Sequence, residues 1–217
     1  LDEAIQQLKK AVALGSMVAL LNLAAICGLP EQEIVYCTEF LESKRIFRSS
    51  FEETIWQDYW FQRKISILYM GIHTTKEQID AIESLLRAKA LLLLADAYYK
   101  LGDYSWALKT LEQIENAYMD FDYYNLCFQI YKKMQDIPKQ IEYIRKAMFY
   151  KALDPKLALI YLKLQQKVGL TIESDRIVAE WIHITHAISA YSPLRKIFVQ
   201  YFSKYSHLSS NNNGDTI

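Results

Sequence analysis

The run EWIHITH holds the side chains best suited to a metal, with Glu180, His183 and His186 at intervals of three. On a helix that interval brings side chains onto neighbouring positions of one face, as carboxylate-bridged metal sites present glutamate and histidine. Such a site needs further ligands from a facing helix, and the chain has no second E-x-x-H. Trp181, Ile182, Ile184 and Ala187 also read as a packed face with the histidines at its edge, and the ligand count favours that reading. Nucleophilic chemistry has less to start from. There is no G-x-S-x-G, no glycine-rich phosphate loop and no local Cys and His arrangement, so the expectation is a non-enzyme with no metal and no cofactor.

Charge excludes further classes. Lys+Arg and Asp+Glu balance at 25 each, so no global field draws the chain to nucleic acid or to an anionic membrane, and neither is an expected partner. Cys27, Cys37 and Cys127 form no close pair and no metal spacing, which favours an intracellular, cytoplasmic compartment over a disulfide framework. The uncharged stretch at 11–30, AVALGSMVALLNLAAICGLP, imitates a membrane span or signal peptide. Asp2 and Glu3 are wrong for a signal, Ile26 is wrong before a lipoprotein cysteine, and Gly15, Ser16 and Asn22 fall where helices would break. Two short buried helices are expected there.

The elements that would position any site are helices. The chain is 52% apolar with only 6 Gly and 4 Pro in 217 residues, and its apolar positions recur at helical spacing. Ser50 with Glu53 and Thr74 with Glu77 read as capping boxes. Asp154-Pro155 and Ser192-Pro193 place a capping side chain before a proline at the first helical position. About ten helices of ordinary length follow. The stretch from Leu91, LLLLADAYYKLGDYSWALKTLEQI, reads as helix, tight turn, helix. A slide of 33 residues brings Tyr131, Gln135, Asp136 and Gln140 onto Tyr98, Gly102, Asp103 and Ala107, so the hairpin recurs.

Leu91, Leu94, Ala95, Tyr98, Ala107 and Leu111 stand at the spacing of the tetratricopeptide repeat, which this region resembles. Leu91 replaces that family's usual Trp and Met119 its usual Pro. In the next copy Tyr124, Cys127 and Tyr131 fit, while Phe128 and Gln140 occupy places where the family prefers small residues, implying wider local spacing or a twist. EAIQQLKKAVALGS resembles the second helix of a repeat, with Ala4, Leu8 and Ala11 on one face, and AVALGSMVALLNLA is similar to the related Sel1-type repeat. A chain starting inside a repeat reads as a fragment of a longer solenoid.

The resemblance implies an all-α, right-handed superhelical solenoid over 1–205, with repeats at 88–121, 122–155 and, degenerate, 156–193. A capping helix at 193–205 and a disordered tail at 206–217 complete the expectation. The aromatic run FEETIWQDYWFQRKISILYM, with Phe51, Trp56, Tyr59, Trp60, Phe61 and Tyr69, is expected in the core between repeats rather than on a peptide-binding surface.

In such arrays the first helix of each hairpin lines a concave groove. The resemblance puts Lys89, Asp96 and Tyr99 there, then Asn125, Gln129, Lys132 and Lys133, then Lys163, Gln166 and Lys167. The later half is basic and amide-rich, which suits a protein or peptide partner with an acidic segment. The chaperone type of the family clamps a carboxylate with Lys and Asn on the first groove helix, but Leu92 and Asp96 stand in those places, so that clamp is not expected. The expected function is a non-catalytic scaffold for protein–protein interaction. The alternative is a sensor or oligomerisation part of a larger regulator, and an open-ended stack also permits a homo-oligomer.

Overall fold

The computed structural model describes residues 2–44, 46, 75–151 and 154–169. Among these the protein is all-α, with no strand. The chain divides into two compact units, Leu1–Met119 and Asp120–Ile217. The first holds α1 (Asp2–Ala13), α2 (Met17–Ile26), α3 (Pro30–Glu42), α4 (Thr75–Leu101), α5 (Tyr104–Leu111) and a 3-10 turn at Asn116–Tyr118. The second holds α6 (Phe121–Lys133), α7 (Ile137–Tyr150) and α8 (Pro155–Lys167). The EWIHITH run, the aromatic run at 51–70, the capping helix and the tail lie outside the described residues.

One turn geometry recurs three times. Between α4 and α5, Gly102 adopts φ 84°, its N–H donates to the Tyr99 carbonyl at 3.0 Å, and the Asp103 N–H donates to the Tyr98 carbonyl at 2.9 Å. Between α6 and α7, Gln135 adopts φ 60° and donates to the Lys132 carbonyl at 3.3 Å, while Asp136 donates to Tyr131 at 3.1 Å. Between α1 and α2, Gly15 adopts φ 93° and donates to Val12, while Ser16 donates to Ala11. Each is a Schellman closure, in which a left-handed residue folds the chain back onto the last free carbonyls of a helix. The residue after it then opens the next helix. Ser16, Asp103 and Asp136 accept from the N–H groups of Ala19, Trp106 and Lys139 at 3.4, 3.2 and 3.0 Å.

The membrane-like stretch is cut by the first of these turns. α2 has 10 residues, seven of them buried, and Asn22 lies exposed within it rather than at a break. The second interruption falls at Gly28, φ 70°. No helix among the described residues is long and apolar enough to cross a membrane. On α1 the half-buried positions are Ile5, Leu8, Ala11 and Val12, so Leu8 and Ala11 keep their expected places on the inward stripe while Ile5 takes that of the exposed Ala4.

Met17, Leu20, Leu21, Phe40, Ile82 and Leu86 form the core of the first unit, joining α2, α3 and α4. α4 departs from the expectation of ordinary lengths. Its 27 residues, ~40 Å at the helical rise, run without a break through the place where the first repeat was expected to begin. Polar contacts fix α3 antiparallel along it. At one end Lys100 Nζ meets both carboxylate oxygens of the buried Glu33, at 2.9 and 3.2 Å, and Asp96 at 2.8 Å. At the other, the Arg87 guanidinium donates to the Leu41 and Ser43 carbonyls at 3.0 and 2.7 Å, neutralising the C-terminal end of α3.

The second unit is centred on Phe128, Ile144, Leu157, Tyr161 and Leu164. A file of rings seams α6 to α7. Tyr131 stacks on Tyr143 at 5.3 Å, and Tyr124 lies 6.4 Å from Tyr143 and 5.6 Å from Tyr150. The Lys146 amine sits 5.0 Å over the Tyr143 ring and bonds Glu142 at 2.8 Å. Each aromatic pair adds about 0.5–1.5 kcal/mol beyond its buried area.

Burial works to lower the Lys100 pKa, but the hydrogen bonds to Asp96 and Glu33 outweigh it and raise the value. The stabilisation is therefore complete below the ordinary lysine pKa and is lost only as pH rises through the raised one. Lys100→Met, which strands the Glu33 carboxylate, is expected to cost roughly 2 kcal/mol at neutral pH, less than for a fully buried pair because Lys100 is partly in water. Adding Glu33→Gln should recover part of that loss. Thermal unfolding followed by circular dichroism reads both variants, and a wild-type midpoint for Lys100→Met would remove this role.

Candidate partner-binding concavity

The second unit carries a concavity of about 500 Å³ between α6, the turn after it, α7 and α8. Phe128, Ile137, Ile160 and Leu164 supply its apolar lining, the first and last of them buried. Lys132, Lys163 and Lys167 also line it, and all three are exposed. Gln135 and Gln140 contribute amides. No carboxylate among the described residues lines it.

Helical periodicity explains the convergence. Phe128 and Lys132 are four residues apart on α6, and Ile160, Lys163, Leu164 and Lys167 share one stripe of α8. α8 is started at this register by Asp154, whose carboxylate accepts from the Lys156 N–H at 2.9 Å, with Pro155 at the first helical position. Gln140 is buried, and its amide donates to the Tyr131 carbonyl at 3.2 Å. It thus ties α7 to the end of α6.

Three of the groove residues expected from sequence, Lys132, Lys163 and Lys167, meet here. Lys133 is exposed on α6 outside the lining, and Asn125 and Gln129 are half-buried on the same helix, also outside it. The Gln166 side chain lies outside the described residues. The other three belong to the first unit. Lys89 is half-buried on α4, Asp96 is held by Lys100, and the Tyr99 ring leans on Tyr104 at 6.0 Å.

Sequence reasoning left out Phe128, Gln135 and Gln140 as site residues. A signal existed, because at the 33-residue offset they replace Ala95, Gly102 and Ala107. Each is larger than its counterpart, and all three line the concavity.

A smaller concavity of about 310 Å³ in the first unit is lined by Arg87 and Glu115 with Leu41, Leu91 and Tyr118. Its guanidinium already serves the α3 carbonyls, and Glu115 brings an opposing charge. It lacks the single-signed character of the first.

No group of three or more metal-type side chains occurs among the described residues. Burial above all, with Glu33 and then Cys27 adding to it, pushes the Cys37 thiol up to about 12, and burial does the same to Cys127. Thiolate is scarce at both near neutral pH. Comparison with models of known protein families, with curated proteins and with solved structures finds no match for this chain.

At pH 8 a soluble thiol reagent should label Cys27, which is half-buried, and leave Cys37 and Cys127 unmodified until denaturant is added. Mass mapping of the labelled protein checks this. Rapid native labelling of Cys37 or Cys127 would contradict their burial.

Proposed function

We propose that this chain is a non-catalytic interaction module that binds a segment of a protein partner in the concavity of the second unit. The observation that carries the reading is the meeting of Lys132, Lys163 and Lys167 around an apolar lining with no carboxylate among the described residues. Such a surface favours a segment with acidic residues beside an apolar one, the apolar side chain supplying burial and the charges supplying selection and encounter rate. The repeated turn construction supports a second part of the proposal, that the hairpins are tetratricopeptide-like repeats stacked as a right-handed superhelix.

A role as the oligomerisation part of a larger regulator is the second reading. Phe149, 83% exposed at the end of α7, favours it, since an exposed aromatic side chain suits a protein interface.

Affinity capture from a native lysate at low and moderate salt, with bound proteins identified by mass spectrometry, separates the two. The double variant Lys132→Glu, Lys167→Glu should weaken capture of the partner at least tenfold, from roughly 1 kcal/mol at each exposed charge. Raised salt should weaken wild-type capture and have little effect on the variant. Capture that ignores lysine reversal and disappears with Phe149→Ser would transfer the function to the aromatic end of α7.

A further inference from the structure

Gln135 stands where the turn chemistry asks for glycine. Its φ of 60° lies in the left-handed region, and the corresponding residues of the other two Schellman turns are Gly15 and Gly102. A side chain there is disfavoured by the contact of Cβ with the backbone, and glycine removes that contact. The Gln135 N–H bond to Lys132 and the Asp136 capping bond both come from the backbone or from Asp136 itself, so neither needs the Gln135 carboxamide. What Gln135 does have is a place in the lining of the concavity, together with Lys132. The turn requires the left-handed backbone but no side chain on it, and strained residues of this kind cluster at functional sites, which motivates a role for the Gln135 side chain.

The neighbours fit the same pattern. Gln140 and Phe128 replace the fully buried Ala107 and Ala95 of the preceding hairpin, and both line the concavity with Gln135. Gln140 is committed through its amide to the Tyr131 carbonyl, so it shapes the wall. Gln135 is exposed, and its carboxamide offers both a donor and an acceptor.

We propose that Gln135 reads the main chain of the bound segment. Its carboxamide pairs with a peptide group of an extended acidic segment while an apolar side chain of that segment enters the lining at Phe128 and Leu164, and lysines on either side hold the carboxylates. This rests on the assignment of the concavity as the binding site and adds the residue that fixes ligand register there. An amide suits that task because a peptide group presents the complementary donor and acceptor whatever its side chain.

The test uses the full chain and end-blocked, fluorescein-labelled octapeptides of Glu, Leu and Ser in permuted order, titrated by fluorescence anisotropy. Wild type should bind the acidic-apolar members, and the Lys132→Glu, Lys167→Glu variant should lose them. Gln135→Gly should raise the thermal midpoint by about 2–4 °C, from relief of the left-handed side chain, and weaken binding three- to tenfold. Gln135→Ala keeps the strained backbone and removes the amide, so it should weaken binding equally without the gain in midpoint. Wild-type affinity in both Gln135 variants, with the lysine variant still impaired, would overturn the role of Gln135 and leave the concavity standing. A fall in midpoint for Gln135→Gly would show that the turn itself needs glutamine, and would also overturn it. Absence of any binding, or binding indifferent to lysine reversal, would overturn the site and the Gln135 proposal together.

Discussion

The described structure depends on a turn in which a single pair of residues ends one helix and starts the next. A helix end leaves free carbonyls and a helix start leaves free N–H groups, and the hairpin helices, which apart from the 27-residue α4 have 8–14 residues, have little else with which to offset them. At Gly15-Ser16, Gly102-Asp103 and Gln135-Asp136 the first residue turns left-handed and closes the old helix, while the second donates backward and caps forward. No connecting residue is spare. The direction in which each second helix leaves is therefore set by backbone hydrogen bonds, and side-chain packing only has to agree with it.

Packing agrees through unequal means in the two units. In the first, buried Ala90, Ala95, Ala97 and Ala107 leave α4 and its neighbours room to approach, and the charged contacts of Glu33 and Arg87 lie at the two ends of α3. In the second, larger groups take the small residues' places. Phe128 and Gln140 fill space that alanine leaves at the corresponding positions of the preceding hairpin, and a file of tyrosines seams the outer edge. The larger concavity arises where this bulk meets α8, so its shape belongs to the residues that depart from the preceding hairpin rather than to those that match it.

That division explains what could be read in advance. Helix class, the breaks at Gly15 and Gly102 and the cap at Asp154 are local properties, written in glycine, capping residues and apolar spacing, and they were legible. Lys132, Lys163 and Lys167 were legible as one surface only through the resemblance, which assigned ten residues to a groove, and these three of them line the concavity. The unbroken length of α4 was missed although Thr75–Leu101 contains no glycine or proline, because the resemblance placed the start of a repeat at 88, inside it. The engagement of Asp96 with Lys100, four residues on, was open to inspection, but its link to Glu33 joins residues 67 apart in the chain. Gln135 was visible only as a mismatch, and it takes the left-handed φ of 60° to turn a mismatch into strain.

α4 has a further consequence through its membership of two pairings at once. Its span from Arg87 to Lys100 faces α3, and its last turns also receive α5 through the Gly102 turn. Neither hairpin can then melt alone without stripping one side of a helix that the other still needs. Amide exchange along α4 should report a single opening event for the whole first unit, so partial unfolding has no hairpin-sized step available there.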